Sequence, residues 1–402
     1  MTRRIAVSLL LAGAGAWAED ATTPGEATAP YPTITNLSIE WKIAGDDNRN
    51  GRVEVEYRRA GETAWQRALP LRRVAAGSST GTRPIFHWEN RHSGSIFDLR
   101  PDTEYEVRLK LSDPEGGAAE KLLRTRTRPV PRAAPGAPVR RVTTETLRSA
   151  AAQTQPGDVL LLSAGQYGSF DVPRDGAPGK PIVLRCAAGV VFDAVSLRDR
   201  RHVHLEGATV HGRVDLTGGE DLAVRRCTVN TLYGITASRP PGAKNCYIAD
   251  NVVTGIMPWE SARMGHLNDA GQAANQGEGI QITGPGNVIC YNRVRGFRDA
   301  ISLMEDQSAH QQVSVDIYNN DIYVGADDGI EADFAMGNCR ILRNRLTNCF
   351  MGLSSQPGLG GPTYFIRNVM YNLTNSGFKL SRGSIGDVLL HNTVVKVGDG
   401  FR

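Results

Sequence analysis

Residues Asp327 to Phe334 read DDGIEADF and set four carboxylates, Asp327, Asp328, Glu331 and Asp333, around one isoleucine. The whole chain of 402 residues is nearly balanced, with 46 lysines and arginines against 42 aspartates and glutamates, so this density is local. Carboxylates this close raise one another's pKa unless a cation or basic side chains compensate. Oxygen donors of this kind suit calcium. Glu331 and Asp333 on one strand would stand about 6.7 Å apart, which also leaves room for a water between two carboxyls. Cation binding, acid–base chemistry and plain surface charge are all open at this point.

A repeat must position these groups. From about Val142 to Arg402 an aliphatic strand, an asparagine, a β-branched pair and a Gly-aliphatic strand recur. Asn251, Asn292, Asn320, Asn344, Asn368 and Asn392 mark the coils, the last four 24 residues apart. A period in the low twenties with short strands is that of a solenoid. The asparagines read as a stack of corner amides that satisfy the backbone and each other, with no catalytic part.

Stacking turns coils into columns. If Ile280, Ile301, Ile330, Leu353, Phe378 and Phe401 point inward, the next position faces outward: Gln281, Ser302, Glu331, Ser354, Lys379 and Arg402. Two residues beyond that outward position come Asp333 and Gln356, and two before the inward set come Glu278, Asp299 and Asp328. The carboxylates are therefore expected to line an outward-facing groove, acidic at Asp299, Asp328, Glu331 and Asp333, the expected calcium ligands. Further along it turns basic at Lys379, Arg382 and Arg402. Between Asn251 and Asn292 the coil exceeds the 24-residue period by about seventeen residues. That insertion carries Trp259, Glu260, Arg263, His266, Asn268 and Asp269. Trp259 and His266, with Arg298 and Gln356 on the neighbouring coils, are the expected contacts to a ligand, since long loops in compact repeats tend to serve function.

The N-terminal part has a different texture. Residues 1–18 have a basic start, an apolar run and an Ala16-Trp17-Ala18 site, the pattern of a signal peptide of the general secretory type. Export to the periplasm or medium follows as an expectation. Residues 19–30 read as a flexible segment, 31–128 as an antiparallel sandwich with Trp41 in its core, and 129–141, rich in proline and alanine, as an extended linker. A mature charge near plus two, the formal +4 less Arg3 and Arg4 of the leader, gives no case for nucleic acid, and no later run is long and apolar enough to span a membrane. A monomer is expected. Six cysteines (186, 227, 246, 290, 339 and 349) lack metal-ligand or redox spacing, and their distribution over separate coils favours buried free thiols.

Leu99-Arg100-Pro101-Asp102-Thr103-Glu104-Tyr105 resembles the corner that enters strand F of a fibronectin type III domain, where a tyrosine hydroxyl bonds the upstream backbone. The asparagine-marked coils, opened by a short amphipathic helix that would cap the first coil, resemble the right-handed parallel β-helix of the pectate-lyase-like superfamily. The expected fold is thus all-β, a right-handed parallel β-helix solenoid over 142–402 behind a fibronectin type III-like sandwich. That resemblance implies a polysaccharide lyase acting on anionic, uronate-containing polysaccharide. Calcium or arginine would neutralise the substrate carboxylate, and Lys379, flanked by Arg382 and Arg402 with Glu331 nearby, would be the base. An inverting glycoside hydrolase built on paired carboxylates, and a non-catalytic glycan-binding solenoid, are the alternatives. Specific signatures of chondroitinase B-like lyases, mannuronan epimerases and polygalacturonases are missing, so the resemblance stops at the superfamily.

Overall fold

The computed structural model describes residues 20–237, 240–257, 276–303 and 309–401. Two four-stranded antiparallel sheets form the N-terminal sandwich. One runs Thr22–Thr28, Leu37–Gly45, Arg91–Ile96, Arg72–Val74 in spatial order; the other runs Ala119–Arg126, Glu104–Ser112, Arg52–Arg59, Gln66–Arg67. Alternating residues of both, among them Leu37, Ile39, Trp41, Val53, Val107 and Leu109, close one core, and Trp41 is fully buried. Tyr105 Oη accepts the Arg100 backbone N–H at 2.9 Å, the corner expected from the sequence. The strand order and this corner are those of a fibronectin type III-like domain.

The segment 19–30 is not flexible throughout. Thr22–Thr28 pairs with Leu37–Gly45, and Trp41 Nε1 donates to Gly25 O at 3.2 Å. Its sequence, TTPGEAT, has no apolar alternation, because an edge strand held by backbone bonds needs none. A Cβ at Gly25 would lie 2.8 Å from Lys42 O, so glycine permits the close approach.

The solenoid begins inside the expected linker, at Val139–Val142, whose Val142 already belongs to the core. Parallel strands then stack as an eleven-stranded sheet and a larger sheet that folds round the rest of each coil. Helix Leu147–Ala152 buries Leu147, Ala150 and Ala151 against the first coil. Ile280, Ile301, Ile330 and Leu353 are fully buried and pair in register as expected.

The asparagine corner is a continuous ladder. Asn320 N–H and Nδ2 both donate to Asn344 Oδ1, at 3.0 and 2.9 Å, and Asn344 repeats this with Asn368. Each amide also donates to a strand carbonyl, as Asn344 does to Ile317 O at 2.9 Å. The preceding residue takes a left-handed φ, 54° at Arg343 and 57° at Arg367, which turns the corner. All six cysteines are free thiols, five of them buried. No described helix is long and apolar enough to cross a membrane.

The sandwich does not hang on a free tether. Asp316 and Arg340, on outward positions of the eleven-stranded sheet, pair with each other at zero exposure. Asp316 Oδ2 accepts from Thr33 Oγ1 and Asn36 Nδ2, the latter at 2.8 Å, while Arg340 Nη1 donates to Ser38 Oγ and Ser95 Oγ at 2.9 and 3.0 Å. Phe97 meets Tyr364 edge-on, and Arg128 donates to Asn245 O and Gly286 O across the same junction.

Candidate functional site

The site is made where coils bend. Strand Asp321–Glu331 passes through a bend, with its pairing irregular between Gly325 and Asp328. At this bend successive coils place Gly296, Val324, Asn348 and Asn372, all with φ between 57° and 77°. Glycine and asparagine take that conformation readily, whereas a buried, β-branched valine does so only under strain. The strained coil is the one that carries Asp327 and Asp328.

The columns read from the sequence are present: Glu278 pairs with Asp299, and Ser302, Glu331, Ser354 and Lys379 follow one another across adjacent strands. Their facing differs from the expectation. Asp328 and Asp333 have no exposed surface and Asp299 only 1%, so the acids do not line an open groove; Glu331 and Asp327 alone among the four of DDGIEADF are part-exposed. The pairing is irregular just before Asp328, and Lys379 of the outward column closes over it. Asp333 lies beyond the strand end, where its Oδ1 accepts from Ser354 Oγ and from Gln356 N–H at 2.8 Å, anchoring the next coil's turn.

Arg298 bridges two carboxylates: Nε to Asp299 Oδ2 and Nη2 to Glu278 Oε1, both at 2.7 Å. Ser302 Oγ donates to Glu278 Oε2 at 2.9 Å, and the Asp328 backbone N–H donates to Asp299 Oδ1 at 2.9 Å. Lys379 reaches back two coils to pair with Asp328 Oδ2. Asp299, Asp327 and Asp328 each bring an oxygen within 4.8 Å of the others, and Asp328 Oδ1 is buried with no hydrogen-bond partner among the described residues.

Six carboxylates (Glu278, Asp299, Asp327, Asp328, Glu331, Asp333) thus gather round two cations, Arg298 and Lys379. Burial, then the neighbouring charges, drive three of them far above the ordinary carboxylate range: Asp299 acts on Glu278, Asp327 on Asp328, and Asp299 and Asp333 on Glu331. Burial alone would lower the Lys379 ammonium, but the charge and hydrogen bond of Asp328 carry it above the usual lysine value. A base flanked by Arg382 and Arg402 would be lowered by those cations; the charged groups that act on Lys379 are acids, and the shift is upward.

Other expected residues fall elsewhere. Arg382 follows the strand end, exposed and left-handed at φ 54°, without an ion pair among the described residues. Gln356 is half-buried and accepts from Ser381 Oγ at 2.8 Å. Trp259, His266 and Arg402 lie outside the described residues. Asp327 and Glu278 were not among the expected ligand set, yet they complete the cluster; the doubled aspartate was the available signal for Asp327.

No family model matches the chain, and no curated protein matches it. Among solved structures, the fibronectin type-III domain of human fibronectin type III domain containing protein 3 aligns with 29% of this chain and 94% of that one, at 13% identity and a TM-score of 0.19. The sandwich assignment rests on strand order and the Tyr105 corner rather than on that score.

Proposed function

We propose that the protein cleaves an anionic, uronate-containing polysaccharide by β-elimination, with the cluster round Asp328 as its reaction centre. The observation that carries this reading is the excess of buried carboxylate next to a part-exposed arginine and a lysine, a charge imbalance that folding alone does not require. The oxygen set of Asp299, Asp327 and Asp328, with a buried Asp328 Oδ1 left without a hydrogen bond, fits calcium. Bound there, calcium would supply the charge that neutralises the uronate carboxylate and would draw the charge of Asp328 away from Lys379. Arg298, with its side chain 44% exposed, is the protein's own cation for that carboxylate.

Lys379 remains protonated while Asp328 is its ionic partner; once that partner is neutralised its pKa falls, the ammonium releases a proton to solvent, and the free amine is the base. In the elimination it takes the proton from C5 of the uronate. The C5–H electron pair becomes a C4–C5 double bond, the C4–O bond breaks, and the departing sugar oxygen takes a proton from Glu331. Burial and the neighbouring Asp299 and Asp333 raise the Glu331 pKa, which favours its protonated form. Such a substrate lies outside the cytoplasm, and export of the chain through the leader at residues 1–18 is part of this proposal.

The same raised pKa of Glu331 favours a second reading, hydrolysis with Glu331 as general acid. Incubation with a polyuronate and glycosaminoglycan panel, with calcium and with chelator, distinguishes the two. Rising near-ultraviolet absorbance from unsaturated uronate, abolished by chelator and by Glu331→Gln, is the expected result. New reducing ends without absorbance would replace elimination by hydrolysis, and inactivity on every glycan would leave a binding solenoid.

A further inference from the structure

Across the bend from the acidic cluster, the same strands present a second, outward face. One column there runs Arg295, Tyr323, Thr347, Tyr371, Val395 over five successive coils, each pairing in register with the next. Tyr323 and Tyr371, 45% and 48% exposed, put two large rings on this one column. Coils stack about 4.8 Å apart, so rings on alternate coils recur at about 9.6 Å. That is the length of one disaccharide in an extended 1,4-linked glycan, and Thr347 between them leaves a gap for the intervening sugar.

The charge beside this column has a sign. Arg293 and Arg295 are exposed and carry no ion pair among the described residues, Lys396 lies 6.0 Å over the Tyr371 ring, and Arg345 is held by Asp321 through contacts of 2.8 and 2.6 Å. Two residues earlier on the same strands a flanking column runs Arg293, Asp321, Arg345, Val369, Thr393, and Asp321 is the single carboxylate of the two columns. Rings stack on the apolar faces of alternate sugars, and the guanidinium groups meet carboxylates between them.

We propose that this strip is a second, non-catalytic glycan-binding surface that holds an extended 1,4-linked uronate chain along the solenoid axis, apart from the cluster at Asp328. It shares the substrate class with the reading given under Proposed function but not the reaction, and it stands or falls by binding alone.

The test is affinity electrophoresis through gels containing polyuronate or a neutral 1,4-glucan, in chelator and in an Asp328→Asn background so that cleavage plays no part. Retardation by polyuronate that falls at least tenfold in Tyr323→Ala/Tyr371→Ala, and with added salt, is expected. A second variant, Thr347→Tyr/Tyr371→Thr, keeps two rings but places them on adjacent coils; it too should lose retardation. Unchanged retardation in the double alanine variant, or equal retardation by neutral glucan, would overturn the proposal. Far-ultraviolet circular dichroism matching the parent shows that both variants fold. If the polyuronate is never cleaved yet retardation still depends on both tyrosines, elimination fails and the strip stands.

Discussion

Asp316 and Arg340 at the domain junction, and Asp328 and Lys379 at the bend, are both buried ion pairs, but they are surrounded differently. At the junction one carboxylate meets one guanidinium with no surplus charge beside them, and Thr33, Asn36, Ser38 and Ser95 take up further oxygens and hydrogens, leaving Arg340 Nη2 without a hydrogen bond among the described residues. At the bend Lys379 serves Asp328 while Asp299, Asp327 and Asp333 crowd the same space, and Asp328 keeps a buried oxygen without a hydrogen bond among the described residues. A matched buried pair specifies a docking geometry. An unmatched surplus lowers stability and is retained where a cation or substrate offsets it.

The largest test of this contrast is removal of one carboxylate from each. Asp316→Ala strands a buried guanidinium and should cost about 3–5 kcal/mol in urea unfolding. Asp328→Asn removes surplus charge and should leave stability unchanged or higher. A comparable loss in both variants would break the comparison.

Acidification should act on the two halves with opposite sign. His92 in the sandwich is fully buried, neither ring nitrogen is hydrogen-bonded among the described residues, and burial pushes its pKa down to about 4. A depressed histidine contributes stability that is complete above its unfolded value near 6.5 and is lost as pH falls toward 4, about 3 kcal/mol in all. Glu278, Asp328 and Glu331 are raised, so their region is most stable at low pH and loses stability as pH climbs from the ordinary carboxylate range toward their folded values. Hydrogen exchange followed by region between pH 7 and 4.5 should show protection falling round His92 and rising at the bend.

Calcium sharpens the same contrast. At a hundredfold excess over its dissociation constant it should add about 2.7 kcal/mol, read as a rise in unfolding midpoint that Asp328→Asn abolishes and Asn36→Ala does not. The smallest effect is local: Val324→Asn relieves the left-handed valine and should stabilise by about 1 kcal/mol, while slowing any turnover because the bend that aims Asp327 and Asp328 relaxes. A destabilised variant would show that the valine's packing outweighs its backbone strain.

Much of this was legible because parallel coils stack in register. Asn320, Asn344, Asn368 and Asn392 give the period, and the period gives the columns that bring Glu278, Asp299 and Asp328 together. Tyr105 was legible for another reason: a corner tyrosine is a local motif. Burial was not legible, because Asp328 owes its position to a bend that the residues around it do not announce, valine standing where the two adjacent coils have glycine and asparagine. The junction was hidden more completely. Asp316 and Arg340 occupy outward strand positions and read as solvated charges until the sandwich is laid over them, and Thr33, Asn36 and Ser38 are too ordinary to point at a partner.

The docked sandwich also changes how the solenoid comes apart. In a bare stack each coil answers only to its two neighbours, so an end can fray one unit at a time, as in a one-dimensional chain of links. Arg128 grips Asn245 and Gly286, Asn36 grips Asp316, Ser38 and Ser95 grip Arg340, and Phe97 grips Tyr364. Those contacts tie five consecutive coils to one rigid body. Over that stretch the links become a splinted beam: pulled along its axis, it must shear several bonds together before any coil peels, and it melts as one block while the unsplinted coils before it unravel stepwise.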